Sequence, residues 1–401
     1  MSSNSLNELR PREVRKHPKV GVLIDRMSPG AVAKIAIEEV RNFLELGIDA
    51  RLVVLMEEKV SGYRYEDILA EIDIDWLSRG YPSLFRRSFR FPLFSFFSTC
   101  HVTCPFVTAK YTSKLDYDAL LVHGTYTCFT AYRIWKARGI PYIAYIHDPI
   151  SYIIPRVHQD SRSWPFFLPL AHLGKRLDKA ILAGSVGTIV NSSQTRKRVE
   201  PYAGKTPVEV IYPGCHPATS IPSQRGEYIL SITKWDKGKR PDFLLELMQA
   251  VPRVAKLYVT GFWVGDLRAS FLENVKRTGL QERVVVLSPQ DEDAIRSLYL
   301  NARCVIHPIT EAYGMSTMEA ASCGCPSIIP KGSGATELFK DGIHSFTPTE
   351  GNISEFAQCL AVLNEDERKA WQMGQDGWNI SKLHTWEDHA LKLIDVISSA
   401  V

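Results

Sequence analysis

The sequence lacks any apolar run long enough for a membrane-spanning helix, and its opening residues 1–20 lack the apolar stretch of a signal peptide. We therefore expect a cytoplasmic protein. Cysteine is also scarce, with eight residues that stand singly except for two close pairs, Cys100 with Cys104 and Cys323 with Cys325. Neither pair has a matching second pair or histidines at zinc spacing, so we expect reduced, mostly buried thiols.

A strong excess of one charge is missing as well, since the formal net charge is only +4. A total this small does not by itself indicate a nucleic-acid binder. Length, in contrast, is ample. A chain of 401 residues, 45% of them hydrophobic, is long for one core, so two domains are the default expectation.

Short β-branched runs alternate with amphipathic stretches of helix length along the whole chain. The first series of runs reads KVGVLID, ARLVVL, ALLVH, YIAYIH, GTIVNSS and VEVIYPG, and the second reads YILSI, KLYVTG, VVVLS, CVIHP and PSIIP. Runs that are apolar on both faces predict parallel strands covered by helices on both sides, which is a doubly wound α/β sheet. The alternation of strand-like and helix-like segments is interrupted at 214–226, where Pro, Gly and Ser cluster, and it resumes after this segment. We predict two Rossmann-like domains, 1–214 and 220–384, that face each other across a cleft with ligands at the carboxyl ends of the strands.

The stretch TEAYGMSTMEAASCG, residues 310–324, follows the predicted strand CVIHP and has the features of a helix start. Ser316 can act as the N-cap with Glu319 at the third helical position, which is a capping box. Gly324 suits the left-handed turn at the end of such a helix. The sequence therefore predicts a short helix that begins close to the cleft.

The two glutamates of this stretch, Glu311 and Glu319, each have a plain structural interpretation when taken singly. Glu319 caps its own helix, and Glu311 is a solvated loop residue. With Gly314 between them, however, they surround a helix start, whose unpaired N–H groups and positive dipole end form an anion site. A diphosphate is the natural occupant of such a site.

The spacing Glu-x7-Glu in EAYGMSTME, followed by AASCGCPSIIPKGSGATELFKDG, resembles the signature of the retaining GT-B glycosyltransferases of family 4. The likeness extends over most of the chain. Further matching segments are SPGAVAKIAIEEVRNFLELG, DALLVHGTYT, IPYIAYIHD, VNSSQTRKRV, VIYPG, ILSITKWDKGKRP, LYVTG and HTWEDHALKLI. The resemblance implies a first domain that binds the acceptor, a second domain that binds the donor, and a terminal helix over 385–401 that crosses back to the first domain.

In this family the second domain binds a nucleotide-sugar donor, whose departing diphosphate builds negative charge that fixed donors and cations must stabilise. The resemblance places the basic pair Lys234 and Lys239 on one side of the diphosphate. On the other side it places the peptide N–H groups of a turn formed by Tyr313, Gly314, Met315 and Ser316. The family commonly has Arg at the first basic position, so the contact of Lys234 could equally be made by Lys237 or Arg240.

The resemblance also implies roles for residues around the sugar and the ribose. Glu319 would hold the ribose diol, and Glu311 would orient the transferred sugar. His147 matches the family histidine that faces the reacting sugar, as an orienting hydrogen-bond partner more than as a base, and His123 has a weaker case at the same location. Gly30 belongs to the glycine loop before the first helix.

Neither a metal ion nor a cofactor is expected in this scheme, because the lysines and the helix terminus replace the divalent ion beside the donor substrate. The sequence shows no nucleophile that stands out for a double displacement. Retention is therefore best described as front-face transfer, in which the leaving phosphate oxygen assists the acceptor hydroxyl.

The sequence indicates the acceptor substrate less clearly than the donor. No acidic residue occurs between Asp75 and Asp116, and basic residues alternate with aromatic ones in GYPSLFRRSFRFPLFSFF. This segment, 79–98, suits an anionic membrane interface, and a lid helix with a buried strand is an equal alternative. An interfacial segment would go with a lipid-linked acceptor, and a soluble acceptor stays open. Nucleic acid is a poor third choice, because the sequence has no recognised binding module.

The sequence thus favours a retaining hexosyltransferase that moves a hexose from a nucleoside-diphosphate sugar to a hydroxyl of a glycan or lipid-linked acceptor in cell-surface glycoconjugate synthesis. One alternative is a GT-B sugar-nucleotide epimerase, which would need acid and base carboxylates in place of this glutamate pair. The other is a non-catalytic sugar-nucleotide-binding partner, which would be expected to lose Glu311 or the basic loop.

Overall fold

A computed structural model of the protein describes residues 18–27, 30–56, 70–77, 115–152, 164–251 and 256–400. These residues form two parallel β-sheets, each flanked by helices. The basic aromatic segment 79–98 lies outside these ranges, so its contact with a membrane stays a prediction. None of the helices within the ranges combines the length and the apolarity needed to cross a bilayer.

The first sheet has seven parallel strands in the order β3-β2-β1-β4-β5-β6-β7. Its strands are β1 Val20–Arg26, β2 Ala50–Met56, β3 Ile74–Trp76, β4 Ala119–His123, β5 Tyr142–Ile146, β6 Gly187–Val190 and β7 Val208–Val210. The helices along this part of the chain are α1 Ala31–Glu45, α2 Thr125–Arg138, α3 Trp164–Gly184 and α4 Ser193–Ala203.

Both faces of the first sheet are buried, which explains why its strands are apolar throughout. In β4, Leu120 and Val122 pack into one core, and Ala119 and Leu121 pack into the core on the opposite face. Successive side chains of a strand point to opposite faces, so only an unbroken apolar run can satisfy both cores.

The second sheet has six parallel strands in the order β10-β9-β8-β11-β12-β13. Its strands are β8 Tyr228–Ile232, β9 Lys256–Thr260, β10 Val284–Val286, β11 Ala302–Ile306, β12 Ser327–Ile328 and β13 Ser345–Phe346. The accompanying helices are α5 Pro241–Ala250, α6 Leu267–Arg277, α7 Glu292–Asn301, α8 Met315–Ser322, α9 Ile353–Glu365 and α10 Glu367–Ser381. All the apolar runs singled out in the sequence therefore contain strands, and the predicted fold of two Rossmann-like, doubly wound sheets is confirmed.

The last helix, α11 Trp386–Ala400, returns to the first sheet after the second sheet is complete. Trp386, Ala390, Leu393 and Ile397 recur at helical spacing and join the core between α1 and the first sheet. A helix with one apolar stripe of this kind is stabilised by the surface that it covers. This helix thus belongs to the half of the molecule that contains β1.

The cysteines of the described ranges carry free thiols, and most of them are buried. Buried thiols lie at Cys128, Cys215, Cys304, Cys323 and Cys325, and Cys359 is half-buried. Burial raises the pKa of the Cys325 thiol to about 11, so this thiol stays protonated at neutral pH.

Candidate functional site

The carboxyl ends of the strands in the two sheets meet at a common cleft. In each sheet the strand order reverses beside the first strand, between β1 and β4 and between β8 and β11, where doubly wound sheets bind ligands. Direct hydrogen bonds join the two halves there. Ser192 Oγ donates to the Ala312 carbonyl oxygen at 2.7 Å, and the Glu337 carboxylate accepts from the backbone N–H groups of Ser193 and Gln194 at 2.8 and 3.0 Å.

The helix α8 begins in the cleft, but it does not begin with the predicted capping box. Gly314 is its N-cap with φ of +102°, and the helix starts at Met315. Ser316 is therefore the second helical residue, and its hydroxyl forms a short hydrogen bond with Nε2 of His307. Glu319 lies too far along the helix to close a box. Gly324 does adopt the expected left-handed conformation after the helix, with φ of +66°.

The prediction of Ser316 as the N-cap was wrong because of the backbone conformation of Gly314. A residue with positive φ can end a loop and start a helix at once, and only glycine does so without strain. The helix thus begins two residues earlier than a cap at Ser316 would allow. Its first N–H groups, at Met315 and Ser316, have no partner further back in the helix and open toward the cleft.

Glu311 and Lys239, both predicted site residues, are brought together as an ion pair. Lys239 closes a 3₁₀ turn, Lys237–Lys239, whose cap Asp236 accepts from the Lys239 backbone N–H at 3.2 Å. The loop that carries Glu311 is braced from behind, because the Gly334 N–H donates to the Glu311 carbonyl oxygen at 3.0 Å. Lys234 is exposed at the rim and takes no part in this pair.

Glu319 is held by two partners, one from each half of the molecule. Lys34 Nζ of α1 lies 2.8 Å from Glu319 Oε1, and the Tyr299 hydroxyl donates to Oε2 at 3.1 Å. Burial alone would raise the pKa of Glu319, but the Lys34 ammonium outweighs it and the pKa falls below its usual range. The pKa of Lys34 is raised for the same reason, although burial alone would lower it. Both groups are therefore charged at neutral pH.

The first half contributes Gly30 and His147 to the same cleft. Gly30 is the exposed N-cap of α1 with φ of +153°, a conformation that favours glycine. His147 follows β5 and is half-buried, with Nε2 at 3.2 Å from His123 Nδ1 and Nδ1 at 3.4 Å from Asn191 Nδ2. Burial lowers the pKa of His147 to about 3, so the ring is neutral at physiological pH. His123 itself is fully buried and does not face the cleft.

Lys34 takes part in these contacts although the sequence reasoning did not single it out, and two further such residues, Glu39 and His389, form a buried contact with each other. A signal for two of them was present, because Lys34 and Glu39, together with Glu38, are the charged residues of the otherwise apolar stretch AVAKIAIEEV. Charged groups on the covered side of a helix need partners. His389 gave no such signal, since the contact with Glu39 joins residues at opposite ends of the sequence.

Within the ranges that the structure covers, no group of three or more His, Cys, Asp or Glu side chains is arranged to hold a metal ion. The sequence contains three Asp-x-Asp triplets, 73–75, 116–118 and 291–293. Asp75 accepts a hydrogen bond from Tyr117, and Asp291 caps α7 by accepting from the Ala294 N–H at 2.8 Å. Both aspartates thus have structural partners.

Two family models match adjacent parts of this chain. One, described as Glycosyltransferase Family 4, matches residues 32–219, and the other, described as Glycosyl transferases group 1, matches residues 218–379. Together they cover residues 32–379, which include every strand of the two sheets except β1, and the segment that joins the sheets.

The curated relatives are more distant. A D-inositol 3-phosphate glycosyltransferase from Nocardia farcinica is 24% identical over 247 residues, and the match covers 56% of this chain and 55% of that relative. One component of a phosphatidylinositol N-acetylglucosaminyltransferase from Arabidopsis thaliana is 24% identical over 184 residues, which cover 43% of this chain and 39% of that protein. The matched part is about half of the relative's length in the first case and less in the second.

Solved structures match over nearly the whole chain. A sucrose-phosphate synthase from Thermosynechococcus elongatus has a TM-score of 0.78 at 16% identity, and the match covers 96% of this chain and 99% of that one. Anabaena HepE in complex with UDP-glucose has a TM-score of 0.72 at 16% identity, and the match covers 96% of this chain and 100% of that one. At such identities the likeness establishes the fold, which is GT-B, as the sequence predicts.

Proposed function

Because the chain belongs to the GT-B glycosyltransferases of family 4, we propose that it transfers a sugar from a nucleoside diphosphate to an acceptor hydroxyl. The single observation that carries the proposal is the arrangement at the start of α8. An ammonium, a glutamate and the first N–H groups of a helix converge there at the carboxyl ends of the second sheet. A diphosphate beside a sugar is the ligand that uses all three.

In this proposal the diphosphate lies against the N-terminus of α8. The N–H groups of Met315 and Ser316 stabilise the phosphate oxygens, and the positive φ of Gly314 allows the backbone to approach closely. Lys239 neutralises the charge that develops as the bond to the sugar breaks. Lys234, exposed at the rim, supplies a second and more distant positive charge, with Lys237 and Arg240 as neighbours on the same loop.

Glu319 binds the ribose hydroxyls, and Glu311 orients the transferred hexose. An ionised carboxylate has about four acceptor sites, so Glu319 can hold hydroxyls while Lys34 and Tyr299 stay in contact. Glu311 exchanges its contact with Lys239 for contacts with sugar hydroxyls when the phosphate attracts the lysine. His147, from the other side of the cleft, completes the binding of the sugar.

We infer a retaining reaction by front-face transfer, without a divalent metal, in the cytoplasm. The leaving phosphate oxygen takes the proton of the incoming acceptor hydroxyl on the same face of the sugar. The acceptor is a glycan or a lipid-linked sugar, and the lipid-linked class is favoured by the basic aromatic segment 79–98. HepE with its UDP-glucose supports the donor class, and the similarity to a phosphatidylinositol N-acetylglucosaminyltransferase supports a lipid-linked acceptor.

The proposal is tested by incubating the protein with single nucleotide sugars, with EDTA present, and measuring the release of nucleoside diphosphate. One arm contains a membrane extract and the other contains soluble glycans. We expect release with one donor class, an increase with membrane extract, and a labelled product in the lipid fraction. The Glu311→Gln variant should lose most of its turnover while it binds nucleoside diphosphate nearly as the wild type does, since its contacts matter most in the transition state.

Conversion of the sugar without release of nucleoside diphosphate would indicate an epimerase. Binding without any conversion in either arm would indicate a non-catalytic partner. Normal turnover of the Glu311→Gln variant in an active preparation would return Glu311 to the role of a loop carboxylate.

A further inference from the structure

A glutamate that the proposed reaction does not use lies completely buried beneath the cleft. Glu39, in the middle of α1, has both carboxylate oxygens engaged by histidines from distant parts of the chain. Oε2 lies 2.6 Å from Nε2 of His123 at the end of β4, and Oε1 lies 2.9 Å from Nε2 of His389 in α11. All three side chains are at most 1% exposed.

The partners of His389 determine its protonation state. Its Nδ1 lies 2.8 Å from the backbone carbonyl oxygen of Tyr212, which can only accept a hydrogen bond. Its Nε2 faces the carboxylate of Glu39, which also accepts. Both ring nitrogens must therefore donate, and His389 is an imidazolium paired with Glu39.

The carboxylate of Glu39 is correspondingly kept ionised. Burial would raise its pKa, but the contacts with His123 and His389 outweigh burial and the pKa lies below its usual range. A buried charge of this kind persists only when it is paired and fully hydrogen-bonded. The pair of Glu39 with His389 satisfies that condition inside the core.

From Glu39 the direction of each hydrogen bond can be followed to the cleft. The His389 imidazolium already balances the single negative charge of Glu39, so we assign His123 as a neutral ring whose Nε2 donates to Glu39 and whose Nδ1 is an acceptor. His147 must then donate from Nε2, across 3.2 Å, and its own Nδ1 is left as an acceptor. Asn191 Nδ2 approaches that atom at 3.4 Å, while Asn191 Oδ1 accepts from the Thr195 hydroxyl at 2.8 Å.

The ring of Tyr145 packs against both His123 and His147. Its centroid lies 4.9 Å from the rings of both His123 and His147, and its hydroxyl is anchored by donating to the Ile211 carbonyl oxygen at 2.8 Å. The two imidazole rings are thus packed on this phenol as well as hydrogen-bonded to each other.

We propose that Glu39 is a positioning residue that acts through His123 to hold His147 in the tautomer protonated at Nε2, with His389 keeping Glu39 ionised. The inference rests on the proposed function, in which His147 lies beside the transferred sugar. Nδ1 of His147 is then an acceptor, and a sugar hydroxyl binds to it as a donor. The long contact with Asn191 is the one that such a hydroxyl replaces.

The test is ¹⁵N NMR of the full chain labelled in histidine, recorded near neutral pH, with signals assigned by single His→Gln variants. We expect His147 with a bare Nδ1 and a protonated Nε2, and His389 with both nitrogens protonated. In Glu39→Gln, a neutral amide no longer stabilises the imidazolium. His389 should then lose one proton, and the Nδ1–H tautomer of His147 should appear.

The same variant separates positioning from binding in kinetics. We expect kcat to fall about 10- to 100-fold, the range seen when an orienting partner of a functional histidine is removed. The affinity for nucleoside diphosphate should change little, because Glu39 is buried beneath the cleft and makes none of the contacts proposed for the donor. The matched control is Glu45→Gln, an exposed carboxylate at the end of the same helix, which should leave both the spectrum and the rate unchanged.

The wild-type spectrum tests the proposed tautomers of His147 and His389 even if the Glu39→Gln variant does not fold. A wild-type His147 protonated at Nδ1, or a His389 with a bare nitrogen, would overturn the inference. An unchanged His147 tautomer in a folded Glu39→Gln protein would overturn it equally. If the protein shows the expected tautomers but has no transferase activity, the positioning of His147 by Glu39 is supported and only the proposed function is overturned.

Discussion

Two ion pairs lie in the cleft, one between Lys239 and Glu311 and one between Lys34 and Glu319. The second pair joins the two halves of the molecule, because Lys34 belongs to α1 and Glu319 to α8. Such pairs keep each group charged and oriented before a ligand arrives, which is how a site reduces the free energy needed to organise itself on binding. We infer that the donor enters a cleft whose charges are already in place.

The first prediction concerns Glu319 as the anchor of the ribose. We expect Glu319→Gln to weaken the binding of nucleoside diphosphate by about 1.5–3 kcal/mol, the usual size of a lost hydrogen bond to a charged group. Turnover at saturating donor should fall much less, because the ribose does not react. Calorimetry with the nucleoside diphosphate released in the transfer assay measures the first quantity, and initial rates measure the second.

The control for this prediction is Glu292→Gln. Glu292 also lies close to Lys34, at 3.5 Å, but its side chain is 69% exposed and it lies outside the cleft. It should bind nucleoside diphosphate as the wild type does. Melting curves must accompany both variants, because Lys34 loses a partner in each. A Glu319→Gln protein that binds with unchanged affinity would contradict the assignment.

The sequence predicts well those helices and strands that depend on a local pattern of apolar residues. The runs ALLVH and YIAYIH became β4 and β5 because a strand buried on both faces has no alternative to a continuous apolar run. The position of Glu311 was also predictable, since the loop after β11 must open at the carboxyl edge of its sheet.

What the sequence could not supply is contact between distant segments. The pairing of Glu39 with His389 spans nearly the whole chain, and no local pattern indicates it. The capping box failed for a different reason, because the backbone of Gly314 started the helix before Ser316 could cap it. In both cases tertiary structure determined the outcome, and the local motif was satisfied only in part.

The second prediction concerns the start of α8. Gly314→Ala places a side chain at φ of +102°, which should cost about 1–2 kcal/mol of the free energy of unfolding. Its new Cβ would also meet Thr317 Oγ1 at 3.3 Å and distort the first turn. We expect the affinity for nucleoside diphosphate to fall at least tenfold, because the N–H groups of that turn no longer point at the phosphates.

Gly342→Ala is the matched control for the strain alone. Gly342 has φ of +70°, and a Cβ there would meet no atom within 4 Å. Urea unfolding should show a loss of stability in both variants, and calorimetry should show weakened binding in Gly314→Ala only. Equal binding by the two variants would exclude the N-terminus of α8 as the diphosphate site.

Polar contacts join the two halves of the molecule across the cleft, beside the packing of Met315 against the core of the first half. Glu337, in the 3₁₀ helix Gly334–Glu337, accepts two backbone N–H groups at the start of α4 and also the Tyr212 hydroxyl at 2.8 Å. Interfaces of this character between domains of one chain permit relative motion. The helix α11, in contrast, is packed by apolar residues into the first half and holds the end of the chain there.

The third prediction is that Glu337 controls how closely the two halves approach. Glu337→Ala removes three hydrogen bonds, which should cost about 1–2 kcal/mol of the free energy that favours the closed arrangement after allowance for solvent. A shift of that size populates an arrangement with a wider cleft. Small-angle X-ray scattering without ligand should then give a larger radius of gyration than the wild type. Added nucleotide sugar should reduce the difference, because the proposed donor contacts reach both halves, through Glu319 in the second and His147 in the first.

Asp341→Ala is the control for this last variant. Asp341 also accepts a backbone N–H, from Thr347 at 2.8 Å, but both residues belong to the second half. Its loss should leave the scattering curve unchanged while its melting temperature falls by a comparable amount. If Glu337→Ala scatters as the wild type does at equal stability, the closed arrangement does not depend on this carboxylate. The remaining candidates would then be the charged pair of Lys34 with Glu319 and the hydrogen bond from Ser192 to the Ala312 carbonyl oxygen.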